Sequence, residues 1–145
     1  MRYAVKLSKH DDAYIVTCRD LPGFNSVGDS IDDALAESVD AIALVLQDQI
    51  DHRQPVSRPS EKKRGEYWVA LPALDAAKIG LYEVMRAQRI RKSDLARKLG
   101  IHAPQVDRLL DLTHKSKLEQ VEAALAVVGY RVTITVEPCD SRRAA

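Results

Sequence analysis

The sequence predicts an α+β fold, in which a β-β-β-α-β segment is followed by several helices and a final strand. Apolar and polar residues alternate near both ends of the chain, and this period of two is typical of strands. In the middle of the chain, apolar residues recur three and four positions apart, which is typical of amphipathic helices. A hydrophobic content of 46% in 145 residues is enough to form packed cores.

The first three strands are predicted within the first thirty residues. Residues 2–7 alternate between apolar and polar positions, as a half-buried strand does. After a polar turn at residues 10–12, residues 13–21 are rich in β-branched and aromatic side chains and predict the returning strand of a hairpin. Pro22 and Gly23 end that strand, and there is room for only a short third strand around Val27.

A long helix, a linker and a fourth strand complete the first predicted domain, residues 1–72. Residues 31–50 carry apolar side chains at helical spacing with carboxylates between them, and Ser30 is a suitable N-cap. Residues 51–66 are polar and contain two prolines, so they are expected to form a loop or linker. Residues 67–71 return to strand composition and are expected to pair with the N-terminal sheet, because their backbone groups have no other partner.

The second predicted domain, residues 73–145, is mostly helical. Residues 75–88 show helical spacing, and Ser116 with Glu119 suggests a capping box for a last helix. Residues 130–137 alternate as a strand but have no local partner, so they should pair with the first sheet or with a second copy of the chain. The residues predicted to mediate dimerisation are Val132, Ile134 and Val136. Residues after 139 are expected to fray.

The most informative stretch is KSDLARKLGIHAPQVDRLLD, residues 92–111. Its apolar positions suit two short helices that cross and share a core, and Gly100 lies where the turn requires positive φ. Ser93 is expected to cap the first helix, and Pro104 fits the first turn of the second. The stretch therefore predicts a helix-turn-helix.

The second helix of this motif would be the one that enters a DNA groove. Gln105 suits adenine and Arg108 suits guanine, while Asp107 either reads cytosine or faces away. The complete set of predicted DNA-binding residues, which includes phosphate contacts, is Lys92, Ser93, Lys98, His102, Ala103, Gln105, Asp107, Arg108, Lys115 and Lys117. Two alternatives stay open: Arg108 forms a salt bridge within the domain, or the motif serves protein contacts alone.

Charge is divided unevenly along the chain. Residues 1–52 hold four basic and ten acidic residues, a net charge of −6, whereas residues 75–117 hold ten basic and five acidic residues, a net charge of +5. This polarity suits a basic part that meets phosphates and an acidic part that meets a cationic partner. Two independently solvated surfaces would show the same charges.

Several functional classes lack support in the sequence. No apolar run reaches the length of about eighteen residues that suggests a membrane span, and the N-terminus does not resemble a signal peptide, so a cytoplasmic protein is expected. Cys18 and Cys139 are expected to be free thiols. No metal, cofactor or catalytic activity is expected, because no nucleophile or phosphate-binding motif occurs. The acidic residues considered and rejected as a metal cluster are Asp11, Asp12, Asp20 and Asp29.

Two long segments of the chain resemble the HicB antitoxin family. The first is DLPGFNSVGDSIDDALAESVDAI, residues 20–42, which follows a tyrosine-containing hairpin. The second is WVALPALDAAKIGLYEVMRAQRIRKSDLARKLG, residues 68–100, with HKSKLEQVEAALAVVGYRV, residues 114–132, and it is similar to members with a Cro-type helix-turn-helix. Two departures from the family pattern are the basic character of residues 54–65 and an aspartate at position 33, where glutamate is common.

This resemblance implies an antitoxin rather than an enzyme. The first domain would be a partial ribonuclease-H-like domain without catalytic residues, and it would cover the active site of a HicA-type toxin, a basic mRNA interferase. The second would be an all-α helix-turn-helix domain that represses the chain's own operon as a dimer or higher oligomer. Expected toxin contacts are Asp11, Asp12, Tyr14 and Asp20.

The competing interpretation is a stand-alone transcription regulator whose first domain senses a small molecule. A neighbouring gene for a small basic protein with a central histidine would favour the antitoxin, and its absence would favour the regulator. A third class, an enzyme, would depend on the rejected carboxylates alone.

Overall fold

A computed structural model describes residues 1–139 of the chain, and within them a four-stranded antiparallel sheet is combined with five helices. The predicted α+β class is therefore confirmed. In chain order the elements are β1 (Arg2–His10), β2 (Ala13–Thr17), β3 (Ser26–Gly28), α1 (Ile31–Asp51), β4 (Tyr67–Ala70), α2 (Ala73–Gln88), α3 (Lys92–Leu99), α4 (Ala103–Leu109) and α5 (Leu118–Val127).

The sheet has the strand order β3-β2-β1-β4. β1 pairs with β2 from Lys6 opposite Thr17 to the hairpin turn, and its first half pairs with β4. β3 adds to the far edge of β2, with Ile15 opposite Val27. The predicted β-β-β-α-β order and the pairing of the fourth strand with the N-terminal sheet are both confirmed.

α1 covers one face of this sheet. Its start is the predicted one, because the Asp33 N–H donates to Ser30 Oγ at 3.1 Å, which satisfies a free backbone donor of the first turn. The buried face of α1 includes Leu35, Ile42 and Leu46, which belong to the same core as the inward-facing strand residues. The opposite face of α1 is left to solvent, and most of its carboxylates lie there.

The predicted linker is anchored to the protein along much of its length. α1 extends through Asp51, and residues 52–66 have no regular structure, yet the Val56 side chain is buried. The Val56 N–H donates to Glu83 Oε1 of α2 at 2.9 Å, and the Tyr82 hydroxyl donates to Gln54 O at 2.6 Å. The segment therefore ties the N-terminal half, residues 1–72, to the C-terminal half, residues 73–139.

Two features of the predicted helix pair are confirmed and two predicted caps are wrong. Gly100 has φ +66° at the end of α3, and Pro104 lies in the first turn of α4. Ser93, however, lies inside α3, and Ser116 does not cap α5.

The side chains three residues into these helices satisfy their N-terminal backbone groups. Arg91 is the N-cap of α3, and its N–H donates to Asp94 Oδ2 at 3.0 Å. Lys117 is the N-cap of α5, and its N–H donates to Gln120 Oε1 at 3.3 Å. Ser116 Oγ donates instead to the carbonyl of Arg108.

The predicted C-terminal strand over residues 130–137 is wrong for the single chain. Residues 130–137 form no strand, and in the single chain they join neither free edge of the sheet, β3 or β4. Val132 is half-buried against the core, whereas Ile134 and Val136 are 59% and 93% exposed. Their role in dimerisation stays a prediction, and the predicted frayed end, residues 140–145, lies outside the described residues.

Candidate functional site

α3 and α4 pack across the turn at Gly100. Leu95 and Ala96 of α3 and Val106 and Leu109 of α4 are buried between the two helices and the rest of the C-terminal half. The turn is closed by the Ile101 N–H, which donates to Ala96 O at 3.0 Å. With these residues buried, α4 is left with an outward-facing surface of polar residues.

The predicted base-reading residues lie on that surface, but Gln105 is already engaged. Gln105, Asp107 and Arg108 are all exposed on α4, as are His102 and Ala103 at its start. Gln105 Oε1 accepts a hydrogen bond from the His102 N–H at 2.9 Å and so caps α4. A bidentate contact with adenine would use the Gln105 amide N–H and the second acceptor position of Oε1, so this oxygen would be shared between the base and the cap.

Asp107 and Arg108 differ in their ion pairing. Lys92 Nζ lies 2.7 Å from Asp107 Oδ1, so a predicted phosphate contact neutralises the one carboxylate on the α4 surface. Asp111, the other carboxylate considered as a partner of Arg108, accepts hydrogen bonds from the backbone and hydroxyl of Thr113 at 2.9 and 2.6 Å. Within residues 1–139, no carboxylate forms an ion pair with Arg108, and its guanidinium faces solvent.

The remaining predicted phosphate contacts surround α4. Ser93 and Lys98 are exposed on α3, Lys115 is exposed in the turn after α4, and Lys117 is exposed at the start of α5. Of these segments, α3 packs against α4 and the turn that contains Lys115 follows α4 in the chain. The structure thus leaves both predicted kinds of DNA contact, to bases and to phosphates, accessible to solvent.

A buried lysine that the sequence analysis missed holds the end of α4. The Lys78 side chain on α2 is fully buried, and its Nζ donates to the carbonyls of Arg108, Asp111 and His114 at 2.9, 2.7 and 2.5 Å. Burial lowers the pKa of Lys78, while the negative charges of Asp111 and Asp75 oppose that shift. The ammonium group therefore satisfies the carbonyls at the C-terminus of α4 and in the turn that follows.

The signal for Lys78 is present in the sequence. In α2 the buried or half-buried positions 74, 77, 81, 82 and 85 form an apolar stripe, and position 78 falls within it. A lysine on the apolar face of a helix is rare unless its ammonium group has partners.

The predicted toxin contacts separate into two places. Asp11 and Asp12 are exposed in the turn between β1 and β2, and Tyr14 follows them at the start of β2. Asp12 and Tyr14 line a shallow depression together with Asp29 and Asp32 at the start of α1. Lys9 also lines it, with its Nζ 5.8 Å from the centre of the Tyr14 ring, so three carboxylates share the depression with one cation. The hairpin turn and the first turn of α1 thus form one acidic surface.

Asp20 lies away from this acidic surface, beyond the opposite end of β2. Its carboxylate accepts hydrogen bonds from the Ser60 backbone at 2.9 Å and from the Ser60 hydroxyl at 2.8 Å. Asp20 therefore fastens residues near position 60 to the sheet. A contact between Asp20 and a partner protein would use the acceptor positions of the half-exposed carboxylate that Ser60 leaves free.

The outer face of α1 extends the negative charge of the N-terminal half. The exposed carboxylates on this helix are Asp32, Asp33, Glu37, Asp40, Asp48 and Asp51. Leu44 lies among them and is 63% exposed, a feature that the sequence analysis did not single out. An exposed apolar side chain within an acidic face suits a partner surface that is basic and partly apolar.

No group of three or more His, Cys, Asp or Glu side chains within residues 1–139 is arranged to hold a metal ion. Cys18 and Cys139 are free thiols, as predicted, with Cys18 buried and Cys139 exposed. Among the helices of the described chain, none has the length and apolar character that crossing a membrane requires.

Comparison with known proteins covers nearly the whole chain. Residues 2–80 match a family described as "HicB_like antitoxin of bacterial toxin-antitoxin system". "Antitoxin HicB" of Pseudomonas fluorescens (strain Pf0-1) is 35% identical over 136 residues, which are 93% of this chain and 93% of that protein. "Antitoxin HicB 2" of Photorhabdus laumondii is 33% identical over 134 residues, covering 92% and 95%. "Antitoxin HicB" of Escherichia coli (strain K12) is 23% identical over 137 residues, covering 94% and 99%.

Proposed function

The chain belongs to the HicB-like antitoxin family of bacterial toxin–antitoxin systems, and from this we propose that it silences a HicA-type toxin and represses its own operon. The observation that carries the proposal is the separation of charge between two exposed surfaces. Carboxylates of the hairpin and α1 lie on the N-terminal half, and cations surround α4 on the C-terminal half. The role is regulatory, and the chain blocks a reaction rather than catalysing one.

The toxin is proposed to bind the acidic surface of the N-terminal half. A HicA-type toxin binds RNA and is basic, so carboxylates such as Asp11 and Asp12 attract it and speed the encounter. Tyr14 offers an aromatic ring at the same place, of the kind enriched in protein interfaces. The toxin's active site would then be covered by the antitoxin, so that messenger RNA is excluded sterically.

Reversing two charges at the hairpin should weaken this complex. We expect the double variant Asp11→Lys and Asp12→Lys to bind the neighbouring gene's product at least about tenfold more weakly, because like charges would face each other. Affinity is measured by calorimetry at low and physiological salt. The matched control is Glu119→Lys with Glu122→Lys on α5, which changes the net charge equally and should leave the affinity unchanged. If both double variants bind the toxin with equal affinity, the toxin does not bind at the turn between β1 and β2.

DNA is proposed to bind α4, with α3, Gly100 and α4 acting as a helix-turn-helix. Arg108 would donate two hydrogen bonds to one guanine, and the lysines around α4 would contact phosphates. Two copies of the chain would read a palindrome whose half-sites lie about one helical turn apart, or a multiple of it. Repression of the operon follows because a bound dimer blocks access to the promoter.

Arg108→Ala tests the base contact. We expect the variant to lose about 1–3 kcal/mol of binding to the DNA upstream of the chain's own gene, while binding to the toxin is unchanged. Fluorescence anisotropy with the upstream fragment and with a scrambled fragment measures both affinities. The control Lys117→Ala should bind both fragments more weakly by the same factor. The slope of log affinity against log salt concentration should become shallower by about one, because one fewer counterion is released. If Arg108→Ala loses the same affinity for both fragments, Arg108 contacts a phosphate rather than a base.

The C-terminal segment is proposed to pair with its own copy in a dimer. In one chain Ile134 and Val136 are exposed and the backbone around them is unpaired, so a second chain is the available strand partner. Truncation after Gly129 should therefore shift the protein from dimer to monomer and weaken operator binding. Light scattering after size exclusion gives the mass. A truncated protein that stays dimeric and binds DNA equally well would refute this role.

A further inference from the structure

Gln47, on the N-terminal half, reaches the loop that ends α4 on the C-terminal half. Its Oε1 accepts a hydrogen bond from the Leu112 N–H at 2.7 Å, and its Nε2 lies 3.5 Å from the Leu110 carbonyl. The same Nε2 donates to Asp51 Oδ1 at 2.9 Å, one turn further along α1, which fixes the orientation of the amide. The side chain thus connects α1 directly to the chain that leaves the proposed recognition helix.

The loop after α4 is held from two sides. Lys78 of α2 binds the carbonyls of Arg108, Asp111 and His114, and Gln47 of α1 binds the loop between them. The Leu110 and Leu112 side chains are both buried, so the loop has little freedom once these anchors are in place. Because Leu110 directly follows the last turn of α4, a shift of this loop would also tilt α4.

We propose that Gln47 is a positioning residue for DNA recognition, so that α1 of the N-terminal half helps set the placement of α4. This inference rests on the proposed function, since it requires that α4 reads DNA. Removing the acceptor at position 47 leaves a partly buried N–H of Leu112 unpaired, and the loop must shift to find another partner. Gln47 itself touches no DNA.

Displacement of α4 should affect specific and non-specific DNA binding differently. Hydrogen bonds from Arg108 to a base edge depend on the exact placement of α4 in the groove. Contacts from lysines to phosphates depend mainly on charge, and long flexible side chains tolerate small shifts. The ratio of affinity for the upstream DNA to affinity for scrambled DNA therefore reports the placement of α4. A general loss of folded protein would lower both affinities together and leave the ratio unchanged.

The test compares Gln47→Met with Gln49→Met in the full-length protein. Gln49 lies on the same helix, and it also makes two side-chain hydrogen bonds, to the Ser57 hydroxyl at 2.8 Å and from the Ser57 N–H at 2.9 Å, but none to the loop after α4. We expect Gln47→Met to lower the specificity ratio about tenfold and Gln49→Met to leave it unchanged. The double variant Gln47→Glu with Asp51→Asn keeps an acceptor for Leu112 without opposing two carboxylates, and its specificity ratio should fall less than that of Gln47→Met.

Each outcome bears on one proposal. A wild-type protein that binds upstream and scrambled DNA equally would overturn the proposed DNA recognition itself. If the wild type prefers upstream DNA over scrambled DNA and Gln47→Met shows the same preference, Gln47 does not position α4. The same conclusion follows if the specificity ratio falls by the same factor in Gln49→Met as in Gln47→Met. Should Gln47→Met fail to fold, Gln47→Ala, which also removes the acceptor for Leu112, is measured in its place: a wild-type ratio overturns the inference and a reduced ratio at full folding supports it.

Discussion

Lys78→Met is expected to lower the free energy of unfolding by about 3 kcal/mol and to reduce the preference for the upstream DNA over scrambled DNA. The methionine fills a similar volume but leaves three carbonyls without the charge-assisted hydrogen bonds that they now accept. A hydrogen bond to a charged group contributes about 1.5–3 kcal/mol, and part of the loss is offset because a buried ammonium no longer has to be desolvated. The carbonyls affected include Arg108 O, so the end of α4 should loosen first.

Urea unfolding followed by circular dichroism measures the loss for Lys78→Met. Lys6→Met is the control, because Lys6 is exposed on β1 and its replacement should change stability by no more than about 0.5 kcal/mol. A Lys78→Met protein as stable as this control would mean that water replaces the ammonium group without cost. The three hydrogen bonds would then be incidental to the position of α4.

Gly28→Ala is expected to destabilise the N-terminal half by about 3 kcal/mol. A Cβ atom at position 28 would lie 2.4 Å from the backbone nitrogen of Ala34 and 2.5 Å from its Cα, well inside van der Waals contact. Because the obstacle is the backbone of α1, no side-chain rotation relieves it, and β3 must separate from the start of the helix. The acidic surface at Asp29 and Asp32 would be distorted, so toxin binding should weaken as well.

Gly80→Ala is the matched control for this clash. Gly80 lies inside α2, and a Cβ there would meet no atom within 4 Å. Alanine is a better helix former than glycine, so this substitution should raise stability by about 1 kcal/mol. Thermal unfolding of both variants therefore tests the sign as well as the size of each effect. If Gly28→Ala and Gly80→Ala change the stability by the same amount in the same direction, β3 does not pack closely on the start of α1.

The parts of the fold that the sequence predicted are those governed by local chemistry. Ser30 caps α1 as expected because its partner, the Asp33 N–H, is only three residues away. Gly100 adopts positive φ as expected, since that conformation depends mainly on the residue itself. In β1, Tyr3 and Val5 are buried as their alternation predicts, but Ala4 between them is buried as well.

The parts that escaped prediction depend on residues distant in sequence. Lys78 can be buried because the carbonyls of Arg108, Asp111 and His114, at least thirty residues later in the chain, accept hydrogen bonds from its ammonium group. The hydrogen bonds from Ser60 to Asp20, forty residues earlier, could not be predicted from local sequence either, and the role of Asp20 in toxin binding stays a prediction. Residues 130–137 do alternate between apolar and polar side chains, but alternation supplies no backbone partner within one chain.

Growth of cells that express the neighbouring gene's product shows whether this protein is its antitoxin. We expect that product to arrest growth and co-expression of this chain to restore it. Arg108→Ala should restore growth equally well, because neutralisation uses the N-terminal half, whereas Asp11→Lys with Asp12→Lys should restore it poorly. Continued arrest in the presence of the well-folded wild-type chain would contradict the proposal that this protein is the antitoxin of that toxin.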